Sequence, residues 1–307
     1  MKKIVSIIMV LSLMVLAACS MDSGLTDDKK EKKDSSMKDV KVGVSISTLN
    51  NPFFVSLKDG IEKEAKEKGM KVTVVDAQDD TAKQISGIED LILQKVDVLL
   101  VNPTDSAAIS SAIQSANEAG IPVITIDRSS DEGDIETFIA SDNVAGGEMA
   151  AEYLVKELGE KAKVVELEGV SGASATRERG KGFHNIADKQ LDVLTSQTAE
   201  FDRTKGLNVM ENILQGNKDI QAVFAHNDEM ALGAIEAIKA AGKDIIVVGF
   251  DGNDDALKAV ENGELKATIA QQPSLIGEEA VNAAEKILKG DKVDDTISVP
   301  LKLVTKK

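Results

Sequence analysis

The sequence predicts an α/β protein with two lobes, each built on a parallel β-sheet that is covered by helices. Two observations carry this prediction: short β-branched runs alternate with helix-length segments, and one strand–helix–strand unit is echoed later in the chain. Strands separated by helices of this length favour βαβ units, whose parallel strands are buried on both faces. A chain of 307 residues is long enough for two lobes of about 100–200 residues each.

The first residues have the layout of a secretory signal peptide. Lys2 and Lys3 form a basic start, residues 4–16 form an apolar run, and small residues then lead to Cys19 in "LAACS". The apolar run is shorter than the roughly 20 residues that a membrane-spanning helix needs. Residues 1–18 are therefore predicted to be a signal peptide; a membrane-anchoring helix and cleavage at another position are the alternatives.

Residues 19–39 are predicted to be a flexible tether. Apart from Cys19 the segment is mostly polar and charged, has no aromatic residue, and buries too little apolar surface to offset the entropy of ordering it. A surface helix over "DDKKEKKD" is the alternative. Cys19 is the only cysteine of the chain, so the globular part has no thiol for a disulfide, a nucleophile or a metal site.

Nine segments of the globular part have the length and composition of buried strands. Helix-length segments such as "FVSLKDGIEKEAKEKG" lie between them, and a glycine follows several periodic runs, as at Gly69 and Gly120. The predicted strands cover residues 41–47, 71–77, 96–102, 121–127, 163–169, 192–198, 221–227, 244–250 and 265–271.

An internal echo indicates the two-lobe architecture. One predicted strand ends in Asn102 and leads through a helix to a strand that ends in Asp127; Asn227 and Asp251 repeat this arrangement. Ligands of open α/β sheets bind beyond the carboxyl ends of the strands. Two facing lobes would therefore present these four side chains to one shared cleft, whereas chance similarity between two ordinary βαβ units is the alternative.

Amides, carboxylates, guanidinium groups and aromatic rings follow the predicted strands. Asp accepts hydrogen bonds, Arg donates them, and Asn and Gln do both, as the hydroxyls of a sugar require. Phe53 and Phe54 are predicted to form one wall of a sugar pocket and Phe201 the other. The candidate ligand-binding residues are Asn51, Phe53, Phe54, Asn102, Asp127, Arg128, Arg179, Phe201, Asn227, Asp251 and Gln271.

Each candidate also has an ordinary structural explanation. Asn227 and Asp251 precede helix-like segments and are typical helix N-caps, and Asn102 favours a turn before Pro103. Arg179 fits a solvated helix face equally well. The prediction of a site therefore depends on the coincidence of many such residues at strand ends.

Composition and motifs argue against the other functional classes. A formal charge of −16 disfavours nucleic-acid binding, which needs basic surface. His184 and His226 lack the spacing of metal ligands, and "GVSGASA" (169–175) lacks the glycine pattern and lysine of nucleotide-binding loops. No enzyme activity, cofactor or metal is predicted.

Nine stretches within residues 41–302 occur in an order typical of one protein family. They are "STLNNPFFVSLKDG", "NPTD", "PVITIDR", "IASDNVAGG", "TRERGKGF", "FDRTKGLNVM", "NDEMALGA", "VVGFDG" and "ATIAQ". In these stretches the chain resembles the ribose-binding members of the type I periplasmic-binding proteins, which serve bacterial ABC importers.

The resemblance implies two Rossmann-like lobes joined by a three-crossover hinge. The N-terminal lobe would comprise residues 40–141 plus 273–300, and the C-terminal lobe residues 142–272 plus 301–307. The chain would cross between the lobes near residues 141–142, 271–273 and 300.

The resemblance also implies a function. The eleven candidate residues would bind D-ribose, and a monomer would deliver it to ABC permease subunits. The "LAAC" segment resembles a bacterial lipobox, which implies that a lipid on Cys19 anchors the protein to the outer face of the cell membrane. His226 stands where relatives often have Gln. Another pentose, allose, galactose or autoinducer-2 remains an alternative ligand; a LacI-type regulator core, normally preceded by a helix-turn-helix, is an alternative of another class.

Overall fold

The computed structural model describes residues 37–217 and 219–306, so the predictions for residues 1–18 and for Cys19 lie outside the described residues. The strands and helices that it describes are, in chain order, β1 (Lys41–Ile46), α1 (Pro52–Lys68), β2 (Lys71–Asp76), α2 (Thr81–Leu93), β3 (Val98–Val101), α3 (Ser110–Glu118), β4 (Val123–Ile126), β5 (Thr137–Ser141), α4 (Asn143–Leu158), β6 (Lys163–Glu168), α5 (Ser174–Gln190), β7 (Asp192–Thr198), α6 (Arg203–Gly216), β8 (Ala222–Ala225), α7 (Asp228–Ala240), β9 (Ile246–Asp251), α8 (Asp254–Asn262), β10 (Ala267–Ala270), α9 (Pro273–Leu288), β11 (Thr296–Val299) and β12 (Lys302–Thr305).

The strands form two six-stranded sheets, as the predicted two-lobe α/β fold requires. The first sheet has the order β11-β5-β4-β3-β1-β2 and is parallel throughout. The second has the order β12-β10-β9-β8-β6-β7, and its edge strand β12 pairs antiparallel with β10. The other neighbouring strands of this sheet are parallel, so the predicted parallel sheets are confirmed, with one antiparallel strand at this edge.

Three strands were not predicted from the sequence: β5, β11 and β12. Each has only four or five residues, and each carries polar residues. Strands β11 and β12 are largely open to solvent, so they lack the continuous apolar run that marks the central strands. Their place in the sheets is set by pairing with β5 and β10 rather than by their own hydrophobicity.

Apolar side chains pack on both faces of each sheet. In β3, Val98 and Leu100 join the cluster beneath α1 and α9, whereas Leu99 and Val101 join the cluster beneath α2 and α3. This division follows the alternation of side chains along a strand. Two further clusters cover the second sheet in the same way.

The predicted tether of residues 19–39 overlaps the described residues only at residues 37–39, and residues 19–36 lie outside them. The Met37 side chain is buried in the cluster beneath α1, and its carbonyl oxygen accepts a hydrogen bond from the Val40 amide at 3.1 Å. Burying this methionine stabilises the start of β1. Among the described ranges no helix is long and apolar enough to cross a membrane.

The chain passes between the sheets three times. It leaves the first sheet after β5, returns to it with α9 after β10, and passes from β11 to β12 near the C-terminus. Helix α9 packs on α1, and its apolar face belongs to the core of the first sheet. On this sheet membership we propose lobe boundaries at residues 141/142, 272/273 and 300/301.

Three helix pairs cross with their backbones almost in contact, and a glycine from each helix makes this possible. A Cβ on Gly147 would lie 2.2 Å from the carbonyl oxygen of Arg179, and a Cβ on Gly182 would lie 1.9 Å from that of Val144. In each pair, the glycine of one helix lies against the backbone of the other helix, at the residue three positions before that helix's own glycine. The pairs are Gly60 with Gly277 (α1 and α9), Gly147 with Gly182 (α4 and α5), and Gly206 with Gly233 (α6 and α7).

We expect Gly182→Ala to lower the free energy of unfolding by about 1–3 kcal/mol, because the methyl group would force α4 and α5 apart. Gly216→Ala is the matched control, since a Cβ there would meet nothing within 4 Å. Removing a helical glycine in open space should leave stability equal or raise it by up to about 1 kcal/mol. Urea denaturation of both variants measures the difference; equal stabilities would show that the helix crossing is not tight.

Candidate functional site

The structure brings ten of the eleven predicted residues together around one cavity between the lobes. Ala175, at the start of α5, completes the lining. The lining residues are Asn51, Phe53, Phe54, Asp127, Arg128, Ala175, Arg179, Phe201, Asn227, Asp251 and Gln271.

Aromatic rings from both lobes line the cavity. Phe53 and Phe54 open α1 and meet edge to face, with ring centroids 5.2 Å apart. Phe201, in the loop before α6, approaches from the other lobe. The Arg128 guanidinium lies near rings of both lobes, 5.1 Å from the centroid of the Phe54 ring and 5.2 Å from that of the Phe201 ring. Rings from both lobes thus approach one guanidinium group, and the lobes lie close together; that the rings form the two walls of a sugar pocket stays a prediction.

The cavity lining contains two carboxylates and two guanidinium groups. Asp127 and Arg128 come from the first lobe, with Oδ2 and Nε 3.7 Å apart. Arg179 and Asp251 come from the second lobe, also 3.7 Å apart. All four side chains are at least 95% buried. Because the opposite charges balance, this lining suits a neutral ligand better than an ion.

Burial shifts the ionisation of these groups in opposite directions. It raises the pKa of Asp127, although Arg128 and Arg179 act against that rise, and it raises the pKa of Asp251 well above its usual range. Burial likewise lowers the pKa of Arg128 and that of Arg179. Each shift reflects the cost of removing a charge from water, which only close partners offset.

Three buried polar atoms at the cavity have no hydrogen-bond partner among the described residues. They are the Asp127 Oδ1 and Gln271 Oε1 acceptors and the Arg128 Nε donor. Leaving such groups unsatisfied costs about 1–3 kcal/mol each. A ligand with neighbouring groups that both donate and accept would satisfy all three.

Three lining residues have positive φ, in a region that residues other than glycine seldom adopt. The angles are 62° at Asp127, 60° at Phe201 and 121° at Asp251. Each such conformation costs on the order of 1–3 kcal/mol and persists only where the surroundings impose it. Backbone strain of this kind thus coincides with the cavity at three positions.

Asn102 is the one predicted residue that does not line the cavity. It is fully buried behind Asp127, where its Nδ2 donates to Asp127 Oδ2 at 3.2 Å and its Oδ1 accepts from the Ser47 hydroxyl at 2.7 Å. Its amide is occupied by these neighbours because β1, β3 and β4 end side by side. Asn102 thus orients a lining residue.

Two lining asparagines also cap helices, so the structural explanation and the site coincide. Asn51 Oδ1 accepts from the Phe53 amide at 2.9 Å, and Asn227 Oδ1 accepts from the Met230 amide at the same distance. Asn227 Nδ2 also donates to the Phe201 carbonyl oxygen at 3.1 Å.

Sequence reasoning missed several residues that shape the site. Gly169 is required because a Cβ there would lie 2.0 Å from the Phe201 ring. Asn143 Oδ1 accepts from Arg179 Nε at 2.9 Å, and the Phe250 ring lies 3.8 Å beneath that guanidinium. None of these roles had a sequence signal, since each depends on which helix crosses which strand end.

Contacts outside the cavity also join the lobes. Ser106, after β3, donates its amide to the Gly172 carbonyl oxygen at 2.9 Å, and its hydroxyl accepts from the Ser174 amide at 3.1 Å. Arg177 forms an ion pair with Asp131 at 2.7 Å. The lobes are therefore closed upon each other.

A buried network beneath the second half of the site involves Glu166 of β6. Its carboxylate accepts from the Ser196 hydroxyl at 2.6 Å and contacts the Nε2 atoms of His226 (2.9 Å) and His184 (3.0 Å). The backbone carbonyl of His226 accepts from Arg179 Nη1, which links the network to the cavity. Although burial alone would raise it, hydrogen bonds from the histidines lower the pKa of Glu166 to about 2. The bond to Glu166 raises the pKa of His184 to about 9.

We expect the contribution of Glu166 and His184 to stability to be greatest between about pH 4.5 and 6.5. The contribution of His184 is complete below its ordinary pKa of 6.5 and is lost as pH rises through about 9. That of Glu166 is complete above its ordinary 4.5 and is lost as pH falls towards about 2. Urea denaturation should show that His184→Gln costs less stability at pH 9.5 than at pH 6, whereas Lys189→Gln on the same helix should show no such trend. A pH-independent loss in His184→Gln would contradict this assignment.

The comparison with protein families identifies the fold. Residues 42–292 match the periplasmic binding protein domain. The chain belongs to the periplasmic binding protein family. It is 64% identical over its whole length to the ribose import binding protein RbsB of Bacillus subtilis strain 168, all of which is covered. It is 54% identical to RbsB of Escherichia coli K12, over 86% of this chain and 90% of that one. Membership confirms the prediction of a binding protein rather than an enzyme.

Solved structures of related proteins have the same fold. A solute-binding protein from Bacillus halodurans C-125 with bound myo-inositol is 35% identical, with a TM-score of 0.83 over 89% of this chain and 96% of that one. One from Actinobacillus succinogenes 130z with bound D-allose is 32% identical, with a TM-score of 0.80 over 87% and 97%. The predicted two-lobe fold is thereby confirmed.

Proposed function

We propose that the protein is the extracytoplasmic substrate-binding component of an ABC importer and that it captures D-ribose between its lobes. The observation that supports this proposal is the cavity itself. Ten predicted residues line it, and three buried polar atoms there have no hydrogen-bond partner among the described residues. A pentose supplies adjacent hydroxyls that both donate and accept, and it carries no charge. It therefore fits a lining whose carboxylates and guanidinium groups already balance.

The sugar would act as a bridge between the lobes. Its C–H faces would pack against Phe54 and Phe201, and its hydroxyls would meet Asp127 and Arg128 on one side and Arg179 and Asp251 on the other. A ligand that contacts both lobes binds the closed state more tightly and shifts the hinge equilibrium towards it. The closed monomer would then present a defined surface to the permease subunits.

Sequence identity to the named relatives favours ribose over the alternative sugars. Relatives that are 54–64% identical are named as ribose import binding proteins, whereas the proteins solved with D-allose and myo-inositol are about one-third identical. A hydroxyl missing from the ligand would leave a buried partner unsatisfied, which costs about 1–3 kcal/mol and gives the site its selectivity. These relatives give no support to a LacI-type regulator.

Titration calorimetry should show that ribose binds more tightly than allose, xylose or autoinducer-2. Arg179→Ala and Asp127→Ala should each weaken ribose binding at least about 30-fold, because each leaves a buried charge without its partner. Lys181→Ala, an exposed cation on the same helix as Arg179, should bind like the wild type. Tighter binding of another sugar would replace the ligand, and unchanged affinity in both Ala variants would refute the site.

We further propose that a diacylglyceryl group on Cys19 anchors the mature protein to the outer face of the cell membrane. The proposal rests on the "LAAC" segment after a basic start and an apolar run. Residues 19–36, followed by the folded body at Met37, would then link the anchor to the lobes.

Cys19→Ser should abolish incorporation of radiolabelled palmitate and release the protein from the membrane fraction, because the thioether cannot form without the thiol. Ser20→Ala is the matched control and should remain labelled. Equal labelling of Cys19→Ser and the wild type would exclude this anchor.

A further inference from the structure

The turn that carries Asp251 into the cavity needs an external support. Asp251 has a φ of 121° and Gly252 a φ of 77°, so two consecutive residues adopt positive angles. Gly252 is held tightly, since a Cβ there would lie 2.5 Å from the Ala270 Cβ. Gln271 holds Asp251 from one side. The backbone amide of Gln271 donates to the Asp251 carbonyl oxygen at 2.8 Å, and the side-chain Nε2 donates to Asp251 Oδ1 at 2.9 Å. The residues after Asp251 require other partners.

Asp228, the first residue of α7, supplies those partners. Its carboxylate is fully buried and does not line the cavity. Oδ2 accepts from the backbone amides of Gly252 at 2.7 Å and Asn253 at 2.8 Å, and Oδ1 accepts from the Thr268 hydroxyl at 2.7 Å. The carboxylate is not needed to cap its own helix, because Asn227 already does so.

We propose that Asp228 is a positioning residue for the sugar: it holds the strained turn after β9 in the one conformation that aims the Asp251 carboxylate into the cavity. This inference rests on the proposed function and adds to it a residue outside the cavity lining. The two amides that Asp228 binds belong to the residues directly after Asp251. Releasing them would let the turn relax towards negative φ and move the Asp251 side chain away from Arg179 and Gln271.

Asp228→Asn is the informative variant. Asn keeps the shape of the side chain, and its one oxygen can still face both backbone amides. That oxygen carries no charge, so it binds the two amides about half as strongly as the carboxylate does. Two controls match it. Asp254→Asn makes the same chemical change at an exposed residue in the first turn of α8, near the same loop. Thr268→Val removes one buried hydrogen bond to Asp228 and leaves both backbone amides bound.

The affinity for ribose is measured by calorimetry in two backgrounds, with the thermal midpoint of each variant recorded alongside. In the wild-type background Asp228→Asn should raise Kd at least about tenfold, whereas Asp254→Asn and Thr268→Val should stay within about threefold. In an Asp251→Ala background Asp228→Asn should raise Kd by less than about twofold, because its effect passes through a side chain that is no longer present. Equal effects in both backgrounds, or no effect in either, would overturn the proposal.

Hydrogen exchange separates this proposal from the proposed function. The amides of Gly252 and Asn253 should exchange slowly in the wild type without sugar and at least about tenfold faster in Asp228→Asn, while the amides of α6 stay unchanged. Unchanged protection of the two loop amides would overturn the positioning role, whatever ligand binds. A wild type that binds none of the sugars while the loop amides lose protection in Asp228→Asn would instead overturn the proposed function alone.

Discussion

The close crossing of helices at paired glycines is the constraint on which the site depends. The helix pairs are α1 with α9, α4 with α5, and α6 with α7. Each pair crosses in the first turns of a helix or close to a residue that lines the cavity. A side chain at any of these glycines would separate the backbones by the width of a methyl group. Separating α4 from α5 would break the contact of Asn143 with Arg179, and separating α6 from α7 would break that of Asn227 with the Phe201 carbonyl; both are about 3 Å long. Packing between helices thus sets the distances within the cavity.

The packing of the helices maintains two features that cost free energy: charged groups buried away from water and a strained backbone at three lining residues. Four charged groups lie almost out of contact with water, and three lining residues hold positive φ angles. Neither feature stabilises the empty protein. Both fix side chains in place before a ligand arrives, which reduces the entropy that binding would otherwise cost. The lobes contribute in equal measure, since each brings one acid and one guanidinium group.

The sequence predicted which residues lie around the cavity better than it predicted the edge strands of the sheets. Polar residues at the ends of strongly apolar strands, such as Asp127 and Asp251, were recognisable because parallel strands end at a common edge. Asn102 was predicted for the same reason, yet its side-chain amide bonds Ser47 and Asp127 and does not line the cavity. No local sequence pattern distinguishes Asn102 from the strand-end residues that do line it. Strands β11 and β12 were missed because pairing rather than composition defines them. Gly169, Asn143 and Asp228 act across elements that are distant in sequence, so only the folded chain shows their roles.

The contacts of Ser106 with Gly172 and Ser174, and of Arg177 with Asp131, have a consequence for how such a protein evolves. They favour the closed arrangement without touching the cavity. The apparent dissociation constant of any ligand scales with the inverse of the population that is competent to bind it. Substitutions at this rim would therefore strengthen or weaken capture of every sugar by a common factor and leave their ranking intact. Natural variation could match uptake to the abundance of a nutrient here while the chemistry of discrimination, encoded elsewhere, stays untouched.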